Sequence, residues 1–250
     1  MHPFHQDVKF ALRQLRRSPG FTLAITITLA ISLGAIIGIF VVVDGILLRP
    51  LPYPQPDRLM EVSTRYDSGP EYHVIRSAQF RFLQQFSQLF DSLALYEVAP
   101  SGVSLSGSGD PESVPATYVT ADFFRVFGIT PTLGRAFSRD EDHPQGGCVA
   151  VITDGLFVRR YNHNPSILTQ GIRVNEHTCN VIGILPKGFR FEYQAEVFLP
   201  LRVAAEPRDL GHYFRLLGRL KPAMTAEGAR AELQALFPQF KKLHAKFVAS

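Results

Sequence analysis

From Phe21 to Val43 the chain reads FTLAITITLAISLGAIIGIFVVV, twenty-three positions with no charge and no polar stripe. A helix of that length reaches about 34 Å at about 1.5 Å per residue, against a hydrocarbon core of about 30 Å. Lipid offers no partner to backbone N–H and C=O groups, so such a segment must be helical. A cleaved signal peptide has a shorter apolar region, of about 7–15 residues, and a small-residue site after it. Asp44-Gly45-Ile46-Leu47-Leu48 provides no such site, and the pattern predicts a retained transmembrane helix over 21–43.

The flanks carry different patterns. Val8, Ala11, Leu12 and Leu15 share one helical face, with Lys9, Arg13, Arg16 and Arg17 around the rest, so residues 1–20 read as a basic amphipathic helix lying at the membrane surface. Ser18-Pro19-Gly20 breaks it and turns the chain into the bilayer. The excess of basic residues before the span puts the N-terminus in the cytoplasm and residues 44–250 outside. Within the span, Gly34 and Gly38 form a small-residue pair that lets a second helix approach closely. After it, Pro50, Pro52, Pro54 and Pro56 remove backbone donors and predict an extended, stiff stalk over 44–57.

From 58 to 250 the period alternates between two and 3.6. Strands are expected at Leu59–Ser63, Leu93–Tyr96, Val103–Leu105, Val114–Val119, Val149–Ile152 and His212–Leu220. A hairpin is expected with arms at 172–174 and 178–185. Helices are expected from Ser77 to about Phe90, through ADFFRVF after Thr120 to Gly128, around Gly155–Tyr161, and from Thr225 to Pro238 with Ala229, Leu233 and Leu236 inward. The class is mixed α+β, an extracytoplasmic domain of one or two lobes behind a single N-terminal transmembrane helix.

Charge sharpens this picture. The formal net charge is +4, but residues 1–20 hold four basic side chains and one acid. The remainder has 22 basic against 21 acidic side chains, so no basic surface is left for a nucleic acid. The basic tail faces lipid headgroups instead. Cys148 and Cys179 would lie in an oxidising compartment and could pair; on strands they read better as two small buried apolar side chains.

The sequence offers no catalytic motif. Asp140, Glu141, Asp142 and His143 form an acidic group beside Pro144 and Gly146-Gly147, but no second spaced ligand set accompanies it, and a solvated loop is the better reading than a metal site. Ser106-Gly-Ser-Gly-Asp110 lacks the strand–GxGxxG–helix setting of a phosphate cradle. HExxH, GxSxG and GxxxxGK[ST] are absent. No catalytic residue, cofactor or metal is expected, and the chain does not read as an enzyme.

FALRQLRRSPGFTLAITITLAISLGAIIGIF followed by LLRPLPYPQPDRL resembles the opening of MacB/FtsX-like ABC transporter permeases, in particular the duplicated permeases of Acidobacteria. TADFFRVFGITPTLGRAF, GIRVNEHTCNVIGILPKGFRF and GRLKPAMTAEGARAEL follow in the order of that family's periplasmic core domain. The resemblance implies a non-enzymatic subunit whose partners are membrane lipid, a separate ABC ATPase and other permease copies or halves. It also implies that motion driven by the ATPase is relayed to the periplasm of a bacterial inner membrane. By position, Phe10, Leu12, Arg13, Arg16 and Arg17 would couple to the cytoplasmic partner, Gly34 and Gly38 would pack helices, and the prolines at 50, 52, 54 and 56 would transmit motion. Such permeases continue with further spans; no second apolar run of membrane length follows, so the chain reads as C-terminally incomplete. The rival reading is a single-pass anchored extracytoplasmic sensor or interaction domain.

Overall fold

A computed structural model of the chain describes residues 13, 15–43, 53–65, 71–98, 101–107, 109–191, 194–204 and 214–243. The chain divides into two compact units, Met1–Leu51 and Pro52–Ser250.

In the first unit, residues 15–17 are helical, Ser18 interrupts, and α1 runs Pro19–Val43. Proline opens α1 at the position where a missing N–H costs nothing. The interruption is bridged from Thr22, whose N–H donates to Ser18 O at 3.0 Å and whose Oγ1 donates to Leu15 O at 2.7 Å. Thr26, Thr28 and Ser32 each donate a hydroxyl one turn back, at 2.8, 2.9 and 2.8 Å, so the polar groups of the helix are satisfied within it. The large apolar side chains from Phe21 to Val41 are exposed by 38–68%. The stretch Pro19–Val41 has a mean hydropathy of 2.4 and is long enough to cross a membrane. A helix apolar on every side that buries none of them within its own chain is suited to lipid.

The second unit is built on one mixed sheet. Its strands are β1 (Leu59–Val62), β4 (Phe90–Glu97), β5 (Ser101–Ser106), β6 (Glu112–Val119), β7 (Leu133–Gly134), β8 (Val149–Ile152), β9 (Gly171–Val174), β10 (His177–Ile184), β11 (Val197–Pro200) and β12 (Phe214–Leu220). A separate ribbon pairs β2 (Thr64–Arg65) with β3 (Glu71–Tyr72). The helices are α2 (Ser77–Phe86), α3 (Phe123–Phe127), α4 (Asp154–Tyr161) and α5 (Ala226–Leu243).

The order β6-β11-β8-β10-β9-β5 closes, because β5 also pairs with β6 from Ser101↔Ala116 to Leu105↔Glu112. The result is a six-stranded barrel whose interior holds Val103, Val114, Ile152, Val174, Val181 and Val197. Beyond β6 the sheet continues open through β4, β12 and β1. α3 covers one face with Phe123, Phe124 and Phe127, which meet Phe191 and Phe198 mostly edge to face. α2 and α5 cover the opposite face of β4 and β12.

Several expectations are corrected. α2 stops at Phe86, since Phe90 is taken by β4, and its cap is Arg76, whose N–H donates to Gln79 Oε1 at 2.8 Å. α5 continues through Pro238 to Leu243. Proline forfeits one helical hydrogen bond, but continuation buries Phe240 against Phe82, with ring centroids 5.4 Å apart. Strand β11 was not foreseen: VFLP is a four-residue apolar run ending in proline, and only its place between β6 and β8 makes it a strand. The extended proline stalk is corrected where it is described: Gln55 is left-handed at φ 50°, and Pro56–Arg58 is a 3-10 turn. Pro50 and Pro52 lie outside the described residues, as do positions 212 and 213 of the last expected strand.

Candidate functional site

The first described residues of the second unit are pinned to the rest of it at Tyr53, Pro54 and Arg58. Call Tyr53–Arg58 the neck. The Tyr53 ring packs at a tilt against Phe127 and Phe189, with centroids 4.7 and 6.3 Å away, and its hydroxyl donates to Arg190 O at 2.5 Å. Arg219, only 6% exposed, donates from Nε to Val126 O at 2.6 Å and from Nη2 to Pro54 O at 3.0 Å. Arg58 donates from Nε to Leu220 O at 2.7 Å and from Nη1 to Gln55 Oε1 at 2.5 Å. One buried guanidinium therefore ties the neck to the end of α3 from a position on β12.

The local sequence explains the geometry. α3 ends on Gly128 at φ 68°, a left-handed cap that costs glycine little. A side chain there would come within 3.4 Å of both Pro54 Cγ and Arg219 Nη2. Burial, and then the nearby Arg58, push the Arg219 guanidinium below its ordinary pKa, though a guanidinium stays charged. Carbonyl dipoles from Val126 and Pro54 take the place of a paired carboxylate.

The acidic loop works as a brace. Glu141 takes a two-pronged bond from Arg135, at 2.7 and 2.6 Å, and accepts Ser138 N–H at 2.8 Å. The Arg135 hydrogen bond holds its carboxyl below the usual range. Asp142 accepts Ala121 N–H at 2.9 Å and Arg202 N–H at 2.7 Å, joining the ends of β6 and β11. Burial pushes its carboxyl up despite those bonds. These groups serve the backbone, and among the described residues no cluster of His, Cys, Asp and Glu could hold a metal ion.

Cys148 and Cys179 form a disulfide, which corrects their reading as two separate apolar side chains. β8 and β10 run parallel with Val149 opposite Asn180, so Cys148, just before β8, faces Cys179 within β10 with Cα atoms 4.5 Å apart.

The residues singled out in the sequence are placed as follows. Arg13, Arg16 and Arg17 are helical and lie before the Ser18 interruption; Phe10 and Leu12 lie outside the described residues. Gly34 and Gly38 share a face of α1, with open space where a Cβ would stand. Pro54 enters the neck as an acceptor and Pro56 opens its turn. The residues that hold the neck (Tyr53, Arg58 and Arg219) were missed. Alternation gave no signal for Arg219, which shares its strand face with Arg215 and Leu217 and reads as a polar, outward position.

The model of the MacB-like periplasmic core domain matches residues 22–236. A crystal structure of a domain assigned to a permease protein from Porphyromonas gingivalis superposes with a TM-score of 0.56 at 14% identity, covering 78% of this chain and 84% of that one. The periplasmic region of MacB from Actinobacillus actinomycetemcomitans superposes with a TM-score of 0.53 at 15% identity, covering 75% and 83%. No curated protein matches the sequence. At these identities the two structures are similar in fold, and the family match carries the assignment: this chain belongs to the MacB-like periplasmic core domain family of ABC transporter permeases.

Proposed function

We propose that this chain is the part of an ABC permease that relays motion from a cytoplasmic ATPase to an extracytoplasmic domain, and that it catalyses no reaction itself. The carrying observation is the pinned neck. A relay needs the chain that leaves the membrane helix to be joined firmly to the domain it moves, and Arg219 and Tyr53 make that joint with main-chain bonds and ring packing. A loose tether would dissipate the displacement.

In this reading α1 spans the inner membrane with Arg13, Arg16 and Arg17 on the cytoplasmic side, close to the ATPase subunit. The basic flank supports that orientation. The Cys148–Cys179 disulfide supports an oxidising compartment for the domain. The open Gly34/Gly38 face supports packing against another permease helix.

Three measurements on the full chain test the proposal. Protease should remove a C-terminal tag from intact spheroplasts; removal only from inside-out vesicles would reverse the topology and end this reading. Native membranes should yield a nucleotide-binding subunit with the chain, lost on combined replacement of Arg13, Arg16 and Arg17 by glutamate. In that assembly, ATP turnover should change hydrogen exchange at 53–58, and no change there would remove the relay.

A further inference from the structure

The sheet has a gap where its closed and open parts meet. β4 and β6 share a single registered pair, Tyr96↔Val119. The next step is half main chain and half side chain: Thr120 donates its N–H to Leu95 O at 3.0 Å, and its Oγ1 accepts Leu95 N–H at 2.9 Å. Residues facing one neighbour alternate along an antiparallel strand, so Leu93 turns its N–H and C=O to the same side as Leu95. There β6 has ended, and the chain turns away into α3. Among the described residues no strand pairs with β4 on that side of Leu93.

This strand edge opens into a cavity of about 490 Å³, bounded by α2, by Phe90–Leu93, by Thr120–Asp122 and by the loop carrying Asp142. Ser92, also in the wall, is 6% exposed, and its buried Oγ has no partner among the described residues. The apolar part of the wall comes from Phe80, Leu83 and Phe90.

The charges of the wall are not equivalent. Arg81 is committed to Val203 O at 2.5 Å, and Asp142 to two backbone N–H groups. Asp91 and Asp122, by contrast, are held among the described residues by exposed arginines alone, Arg125 at 3.4 Å and Arg139 at 3.6 Å. Exposed pairs of this kind are worth little, so an incoming cation can replace either arginine.

We propose that this cavity binds an extended peptide segment of another protein, added as a strand on Leu93 with a lysine or arginine facing Asp91 and Asp122. Strand addition draws affinity from main-chain bonds and selectivity from the pockets that receive alternate side chains. At about 3.3 Å per residue, the edge accommodates about three to four residues.

The test uses the full chain in nanodiscs of zwitterionic lipid and a labelled acetyl-Val-Lys-Val-Lys-Val-Lys-Val-amide peptide. Binding should slow hydrogen exchange at the Leu93 amide. Methylating alternate backbone nitrogens of the peptide should weaken binding about fivefold to tenfold in the register that bonds to Leu93, as loss of one or two main-chain bonds requires. A glutamate version of the peptide, and an Asp122→Lys chain with the original peptide, should both bind more weakly. Equal affinity for methylated and unmethylated peptides with no protection at Leu93, or no binding at millimolar peptide, would overturn the proposal. Because the peptide and exchange arms use the unmodified chain, a variant that fails to fold leaves the test intact.

Discussion

Arg219 on β12 and Pro54 in the neck, separated by 165 positions, are joined by a 3.0 Å hydrogen bond from Nη2 to a main-chain carbonyl. The same guanidinium reaches Val126 O at 2.6 Å, so one side chain fixes the neck and the end of α3 together. Only arginine offers donors in that fork. Arg219→Met should cost about 2 kcal/mol, the loss of two charged hydrogen bonds offset by relief of a desolvated charge. Urea unfolding of the detergent-solubilised chain measures this, and Arg219→Lys should recover only part of it.

Tyr53 separates ring packing from hydrogen bonding. Tyr53→Phe should lose about 1 kcal/mol with its bond to Arg190 O. Tyr53→Ala should lose about 3 kcal/mol, because contacts with Phe127 and Phe189 go too. Equal losses in the two variants would mean that the rings contribute nothing.

The disulfide closes a separation of 31 residues. Chain entropy alone puts its stabilisation at about 3–4 kcal/mol. Replacing both Cys148 and Cys179 with serine should lower the unfolding midpoint accordingly. Alkylation of membranes without reductant should leave both thiols unlabelled; labelling before reduction would contradict the bonded pair.

Glu141 and Asp142 are neighbours with opposite pH signatures. Glu141 has a depressed folded pKa, set first by its Arg135 hydrogen bond, so its contribution is present above the ordinary carboxylate range and is lost as pH falls through the lower folded value. Asp142 has a raised folded pKa from burial, so stability declines as pH rises from the ordinary aspartate value through the raised one. Glu141→Gln should therefore destabilise at neutral pH and converge with the parent in acid. Asp142→Asn should flatten the decline on the other side. Unfolding midpoints across a pH series distinguish the two.

Phe240 tests the correction at the last helix. Phe240→Ala should cost about 3 kcal/mol and let α5 fray beyond Pro238, because packing on Phe82 is what sustains the final turns. Loss of protection in hydrogen exchange confined to 238–243 is the expected signature.

Local elements with a clear period were readable. The β9–β10 hairpin follows from alternation on both arms, and its turn is set by Asn175 at φ 54°, whose Oδ1 accepts Ser104 N–H at 2.9 Å. α3 was readable from its apolar run and Gly128. β11 was not, since four apolar residues before a proline have no period to measure. The neck was misread as an extended stalk because prolines restrict φ without specifying the residue between them. Gln55 takes the left-handed conformation that turns the chain onto α3 and β12.

By itself, the order of side chains determined the apolar helix, the basic flank, the α+β class and the family, because each rests on neighbours within a few tens of residues. Tertiary structure alone decided the closure of β5 onto β6 and β9, the pairing of Cys148 with Cys179, the grip of Arg219 on Pro54 and the open edge at Leu93. These depend on backbone groups brought together from distant parts of the chain, and a carbonyl or an unpaired strand edge leaves no mark on the identity of the residue that carries it.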